Sequence, residues 1–451
     1  ARAANHPYIL YLLANHPVKF NRRKGDRALA LFVQVEVEQN VRTSTPSYFF
    51  TFHFAPPDMM KGIRNANADV DCLYLIYGKY IRTQCALVGR NRVGRISALM
   101  YSGMVNRTIQ NFDARAINDL RRDALAIAEA GYASIRTDAV IQSKVQVSGD
   151  GLSIDGKTYS LAGRNVYFVG VGKCAVAAAR EIEELLGGTL KGGIALDVST
   201  GKETGLIRTT IETHIGTHPL PSEANEHAAR RIIEFLSDRT ENDLVLMLIS
   251  GGGSALLSFH DAPMTYADES ELFKELTSRG APIQDINIVR KHMSRARGGA
   301  LAVAAYPAEV ISLIASDVPD DDIGLVASGP TVLDSSTIDD AKVILAKYDI
   351  AVPTHIAFIE TQKDEKYFKR VTNILFLSNQ DALSAMNDEA VRLGYAATVA
   401  NNHFTGEARD VGRAIAEKLH ASTAKTALLY AGESIVTLDA NAGKGGRNQE
   451  M

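Results

Sequence analysis

The sequence predicts an α/β fold built on a mostly parallel sheet with helices on both faces. Two observations carry this. Apolar runs of strand length alternate along the chain with stretches of helical periodicity. Several of those runs end in glycine-rich or polar turns, the kind of segment that lines ligand crevices at the carboxyl ends of parallel strands. Residues 244–257 are the clearest case: Leu-Val-Leu-Met-Leu-Ile, then Ser250-Gly-Gly-Gly-Ser254, then apolar residues at helical spacing. A strand apolar on both sides belongs inside a parallel sheet covered by two helical layers.

In chain order, residues 1–103 stand apart. They hold 14 of the 49 Lys/Arg but 6 of the 52 Asp/Glu, carry no acid before Asp26, and repeat Asn-His-Pro at Asn5 and Asn15. Val33–Val41 alternates as a strand would; the remainder has little periodicity. A basic accessory domain, an organelle-targeting extension and a segment outside the native coding sequence, with the start at Met104, are the three readings, and the third is preferred. From there Ile117, Leu120, Ala124, Leu125, Ile127 and Ala128 follow helical spacing. Val145–Val147, Leu152–Ile154 and Lys157–Leu161 read as a hairpin series turning at Asp150-Gly151 and Asp155-Gly156. Strands are then expected at Val166–Val171, Ile194–Val198, Leu244–Ile249, Val310–Ala315, Ile374–Leu377, Ala396–Val399 and Ala427–Tyr430. Helices are expected from Lys173 to Leu186, over Ala224–Leu236 and over Asp339–Tyr348.

The 451 residues suffice for two to four domains of roughly 100–200 residues each. A net charge of −3 argues against a general binder of nucleic acid or anionic membrane. Three cysteines (Cys72, Cys85, Cys174) have no metal-ligand spacing and fit a reducing compartment, so a cytoplasmic location is expected. No apolar stretch approaches the roughly 20 residues of a membrane helix, and Tyr8–Ala14 is too short and lacks a cleavage site for a signal peptide.

Gly151-Leu-Ser-Ile-Asp-Gly156-Lys157-Thr158 matches the G-x-x-x-x-G-K-[ST] phosphate-loop pattern. That pattern works only between a strand and a helix; here both glycines fall in hairpin turns, so it is set aside. Better candidates each follow a predicted strand. At Ser250, Gly251, Gly252, Gly253 and Ser254 the glycines admit close approach of a bulky anion, the hydroxyls add donors, and the next helix would offer its N–H groups and positive dipole end. Gly170-Val-Gly172-Lys173 puts a long cation at a helix start. It is not a dinucleotide fingerprint, because no third glycine follows at the required spacing. Asp317, Asp320, Asp321 and Asp322 crowd a strand end, which suits Mg²⁺, and Asp317 could instead take a proton from a substrate hydroxyl. Arg290 and Lys291 lie in a basic cluster suited to a small anion. Arg447 sits in a glycine loop, Gly443-Lys-Gly-Gly-Arg-Asn-Gln-Glu450, near the chain end.

Ile249–Leu256, Ile286-Asn-Ile-Val-Arg-Lys-His292, Ser316-Asp-Val318, Ala327-Ser-Gly-Pro-Thr331 and Gly445-Gly-Arg-Asn-Gln-Glu450 occur in this order. Together they resemble the class II glycerate 2-kinase family, whose C-terminal part is the MOFRL domain. His218-Pro-Leu-Pro221 and Gly406-Glu-Ala-Arg409 resemble further family segments. The likeness runs from about Met104 to Met451; residues 1–103 carry none of it. It implies two Rossmann-like α/β domains, 104–365 and 366–451, with the active site in the cleft between them. It also implies transfer of the ATP γ-phosphoryl group to the C2 hydroxyl of D-glycerate, with Mg²⁺. The family's catalytic lysine falls on Lys173 and its catalytic arginine on Arg447. On this reading Ser250–Ser254 hold phosphate, Asp317 holds Mg²⁺ or orients the hydroxyl, and Arg290 or Lys291 takes the glycerate carboxylate.

Cys174, Thr217 and Ser222 depart from the alanine, glycine and acidic residue usual at these places. The resemblance implies a further stretch of the second domain after Met451, so the chain is expected to be cut there. Two other readings stand beside the kinase. One is a hydroxypyruvate reductase, a label attached to part of this family that would need a dinucleotide site. The other is a truncated relative that binds nucleotide or glycerate without turnover. The partner expected is a small molecule; oligomeric state is left open.

Overall fold

The computed structural model describes residues 107–198, 210–318, 321–437 and 447–451 with their side chains, and five strands within residues 1–106 as backbone. Ala1–Asn106 and Arg107–Met451 form separate compact units. In the first, β1 (Phe32–Val35), β2 (Phe49–His53), β3 (Asp69–Tyr77), β4 (Tyr80–Gly89) and β5 (Arg92–Met100) make an antiparallel sheet in chain order. The strand expected at Val33–Val41 is described over its first residues. β3 to β5 were not anticipated: they are rich in Val, Ile, Leu and Tyr, which favour strands, but lack clean alternation.

The second unit opens with α1 (Phe112–Arg115), α2 (Asp119–Ser134) and α3 (Thr137–Lys144), then the antiparallel strands β6 (Val145–Ser148), β7 (Gly151–Ile154) and β8 (Lys157–Ser160). Lys157 and Thr158 lie in β8, so the phosphate-loop lookalike is a hairpin, as expected. Next come β9 (Asn165–Val171), α4 (Ala175–Leu186), β10 (Leu190–Val198), β11 (Ile211–Gly216), α5 (Glu223–Ser237), β12 (Asp243–Ile249), α6 (Gly253–Leu256), α7 (Tyr266–Ser278), α8 (Ile283–Lys291), α9 (Ala300–Ala305), β13 (Glu309–Ala315), α10 (Ile338–Lys347) and β14 (Val371–Leu377). Six strands pair in parallel in the order β11-β10-β9-β12-β13-β14. Sequence reading missed β11: only Ile211 and Gly216 are buried in this edge strand, so no apolar run marks it.

Side chains of β12 alternate faces, as the strand period requires. Leu244, Leu246 and Leu248 enter a core with α3, α4 and the hairpin strands. Val245, Met247 and Ile249 enter a second core with α5, α9 and α6. Every residue of β12 is buried, at about 1.5–3 kcal/mol per large apolar side chain. That is why the run 244–249, after Asp243 at the strand's start, contains no polar residue.

The chain ends with α11 (Asn379–Arg392), β15 (Ala396–Phe404), α12 (Ala408–His420), β16 (Thr426–Gly432) and the single turn α13 (Arg447–Glu450). β15 and β16 pair in parallel as a separate sheet. α11 starts in a capping box between Ser378 and Asp381. It packs on α2, where Gly131 leaves room for Met386. Ile127, Leu383, Ala390 and Leu429 form this small core, and the Tyr395 hydroxyl donates to Asp123 at 2.9 Å.

The two sequence-drawn domains therefore share elements. β14, drawn with the second, is hydrogen-bonded into the main sheet, and α2, drawn with the first, packs on the second. Hydrophobic periodicity says that an element has an apolar face, not which layer will cover it. Ile117 and Leu120, expected in one helical apolar pattern, are 70% and 68% exposed, and Ile117 precedes α2.

Candidate active site

β9 continues to β10 and β11 on one side of the sheet, whereas β12 and β13 extend it on the other. The order reverses between β9 and β12, and at such a switch point the loops leave a crevice beyond the carboxyl ends of the strands. The two loops flanking it are Gly172–Cys174 and Ser250–Gly252. They are stitched together: Ser250 N–H donates to the Val171 carbonyl at 2.9 Å, and Lys173 N–H to the Gly251 carbonyl at 3.0 Å.

Gly252 is left-handed, with φ 87°, a conformation that glycine adopts without penalty. A Cβ placed there would lie 3.2 Å from Lys173 Cγ and Cε and 3.3 Å from His218 Cδ2. The lysine and the imidazole thus cover one face of this glycine. A Cβ on Gly251 would overlap the Asp317 carboxylate. Lys173, His218 and Asp317 are all exposed, so the crevice is open to a ligand. The helix expected after the glycines is one turn only. Its register is fixed by Ser254 Oγ, 2.9 Å from Ser328 Oγ, which in turn donates to Asn287 Oδ1 at 2.6 Å. Ser254 is therefore engaged in a structural hydrogen-bond chain.

His218 comes from an edge strand two places away, and its turn is held by a buried residue. Asn225 Oδ1 accepts from Thr217 N–H at 2.8 Å, while Asn225 Nδ2 donates to the carbonyls of Thr217 and Ala255, each at 2.9 Å. Partial burial, then the charges of Lys173 and Arg290, lower the His218 pKa below the ordinary imidazole value, against an opposing pull from Asp317. Sequence reading quoted His218 without giving it a role. The His-Pro-Leu-Pro turn that follows β11 was the available signal.

Arg290 and Lys291, adjacent on α8, separate. Arg290 is buried, its Nε 3.0 Å from Glu269 Oε1, and close enough to act electrostatically on His218. Lys291 bonds to buried Asp334 at 3.0 Å and lines a cavity of about 290 Å³ with Phe259, Arg295 and Arg297. Consecutive residues on a helix do not share a face, so one ion-pair role was drawn for two residues that point apart.

Behind Arg290 lies a wholly buried network that the sequence did not disclose. Glu269 receives Arg297 Nη2 at 2.7 and 3.0 Å and the Ser258 hydroxyl at 2.7 Å, and its Oε2 is 2.9 Å from His260 Nε2. Burial alone would raise the Glu269 pKa, but the Arg297 and Arg290 charges hold it well below the usual carboxylate range. Burial, partly offset by Glu269, pushes Arg297 down to about 10, so it remains charged at neutral pH.

Arg447 lies in α13 and pairs with Glu433. Among the described residues no contact joins it to Lys173 or the glycine turn. Asp322 Oδ1 accepts from Gly324 N–H at 2.9 Å, so it closes a turn. Among the described residues no group of three His, Cys, Asp or Glu is arranged to hold a metal.

A cation, a glycine turn and a carboxylate meet at the switch point of a doubly wound α/β sheet. The family model described as "Domain of unknown function (DUF4147)" matches residues 123–359. A glycerate 2-kinase of Pyrococcus horikoshii is 35% identical over 353 residues, which cover 74% of this chain and 78% of that protein. A putative hydroxypyruvate reductase of Agrobacterium vitis is 36% identical over 295 residues, 63% of this chain and 76% of its own. The crystal structure of a glycerate kinase from Thermotoga maritima superposes with a TM-score of 0.62 at 29% identity, covering 73% of this chain and 78% of that one. The chain belongs to the glycerate 2-kinase family that its motifs resemble.

Proposed function

We propose that the chain is a glycerate 2-kinase, transferring the γ-phosphoryl group of ATP to the C2 hydroxyl of D-glycerate. One observation carries the reading most: Lys173 and the Ser250–Gly252 turn flank the switch-point crevice with Asp317 against the turn. Phosphoryl transfer asks little covalent chemistry of the protein; placing positive charge around the moving group supplies most of the acceleration. Lys173 is the cation for that charge. The backbone at Gly251 and Gly252, bare of side chains, is where phosphate oxygens would approach.

Mg²⁺ would enter with the nucleotide. The Asp317 carboxylate fits that mode, since Mg²⁺ commonly takes one or two protein carboxylates together with substrate phosphates. Bound there, the ion would neutralise phosphate charge. Arg290, already paired with Glu269, offers the glycerate carboxylate less than a free guanidinium would, and contributes positive potential beside His218. Arg447 would have to leave Glu433 to act on the transferring group.

The A. vitis relative's name keeps a reductase in view, but Gly170-Val-Gly172 lacks the third glycine of a dinucleotide turn. Phosphorus NMR of the purified chain with Mg-ATP and D-glycerate tests the kinase. A 2-phosphoglycerate signal that Lys173→Ala lowers by at least about 100-fold is expected, the scale for one lost electrostatic group. Hydroxypyruvate-dependent oxidation of NADH without that signal would establish the reductase instead.

A further inference from the structure

With Asp317 given to Mg²⁺, the kinase reading leaves no group for the proton that the attacking hydroxyl must lose. Among the described residues, the side chains nearest to Gly251 and Gly252 are those of Lys173, His218 and Asp317. Lys173 is needed as a cation, and a protonated amine accepts nothing. Asp317, in the loop after β13, lies against Gly251, and the kinase reading gives its carboxylate to Mg²⁺.

His218 differs from both. Its ring shares the Gly252 face with the Lys173 side chain, so anything held by that lysine at the turn stands beside the imidazole. Among the described residues neither ring nitrogen is engaged in a hydrogen bond, whereas the turn carrying the ring is held at Thr217 N–H and C=O by Asn225, itself tied to the Ala255 carbonyl. A side chain with an anchored backbone and unengaged nitrogens at the edge of a crevice is available to substrate.

We propose that His218 is the general base of the reaction, accepting the proton of the glycerate C2 hydroxyl as that oxygen attacks the γ-phosphorus. The new O–P bond forms while the bond from the γ-phosphorus to the β,γ-bridging oxygen breaks. Its electron pair leaves on ADP, and the hydroxyl proton passes to an imidazole nitrogen and then to solvent. The charged groups facing the ring come from three elements: Lys173 after β9, Arg290 on α8 and Asp317 after β13. Burial and the two cations outweigh the carboxylate, so the imidazole is neutral at neutral pH and can accept a proton.

The proposal rests on the kinase reading, and its test separates the two. Absence of 2-phosphoglycerate from wild-type chain with Mg-ATP and D-glycerate would sink the kinase reading itself. With wild-type turnover established, kcat is followed against pH for the wild type and for His218→Gln. The wild-type kcat should fall on the acid side with an inflection below the ordinary imidazole value of about 6.5. His218→Gln should lose about 10²–10³ in kcat, keep KM for ATP within about threefold, and lose the acidic limb. A residue that merely shapes the turn would leave the limb in place. An unchanged limb in His218→Gln, or more than about a third of wild-type kcat, overturns the assignment. So does a wild-type profile with no acidic limb, which decides the matter even if the variant fails to fold.

Discussion

Glu269→Gln removes one negative charge from a fully buried carboxylate while preserving its shape. The carboxylate is wholly inaccessible and is shared by Arg297, Arg290, Ser258 and His260. A glutamine would leave two buried guanidinium groups without a counter-charge and, whichever way the amide turns, set an N–H beside Arg297 Nη2, which cannot accept. Breaking a buried ion pair on one side costs about 3–5 kcal/mol, which for a unit of this size is a fall of about 4–7 °C in Tm. Calorimetry of the full chain measures it.

The pH dependence has a definite sign. Glu269 is held below its ordinary value of 4.5 in the folded protein, so its contribution is fully present above that value and is lost as the pH falls towards the folded pKa. The stability gap between wild type and Glu269→Gln should therefore be constant near neutrality and narrow below about pH 4.5. A fall in Tm under about 2 °C, or a gap that does not narrow in acid, would refute the view that charge holds this core together.

Two further substitutions probe the site. Gly251→Ala puts a methyl group into the Asp317 carboxylate; it should cost about 1–3 kcal/mol or displace the loop, and lower kcat about 100-fold through misplacement, with wild-type kinetics excluding close apposition. Asn225→Ala strips partners from the Thr217 amide and the Thr217 and Ala255 carbonyls. At roughly 1–3 kcal/mol for a buried group left unsatisfied, urea unfolding should show a loss of at least about 2 kcal/mol, and a neutral result would mean that water replaces the amide.

Much of the switch-point crevice that we propose for phosphate was legible because its signals are local. The apolar run of β12 is continuous since both faces are buried, and the Ser250–Ser254 turn and Lys173 follow directly on strands that sequence pattern locates. The hairpin that mimics a phosphate loop could be discarded on the same ground. Residues whose role depends on a distant partner were harder. Arg290 and Lys291 look alike in sequence, and only the positions of Glu269 and Asp334 set them apart. Asp322 looks like part of an acidic metal cluster until its turn is seen.

The sequence by itself determined the class of fold, the strand-helix alternation, the glycine turn and the family, because periodicity, turn chemistry and motif order are written in neighbouring residues. Tertiary structure alone decided three things. It placed the switch point between β9 and β12, since strand order is not encoded by any one strand. It brought His218 across from an edge strand to Gly252, through the buried Asn225. It also buried Glu269 between two arginines, where the absence of water makes a charge pair matter far more than the same residues would at the surface.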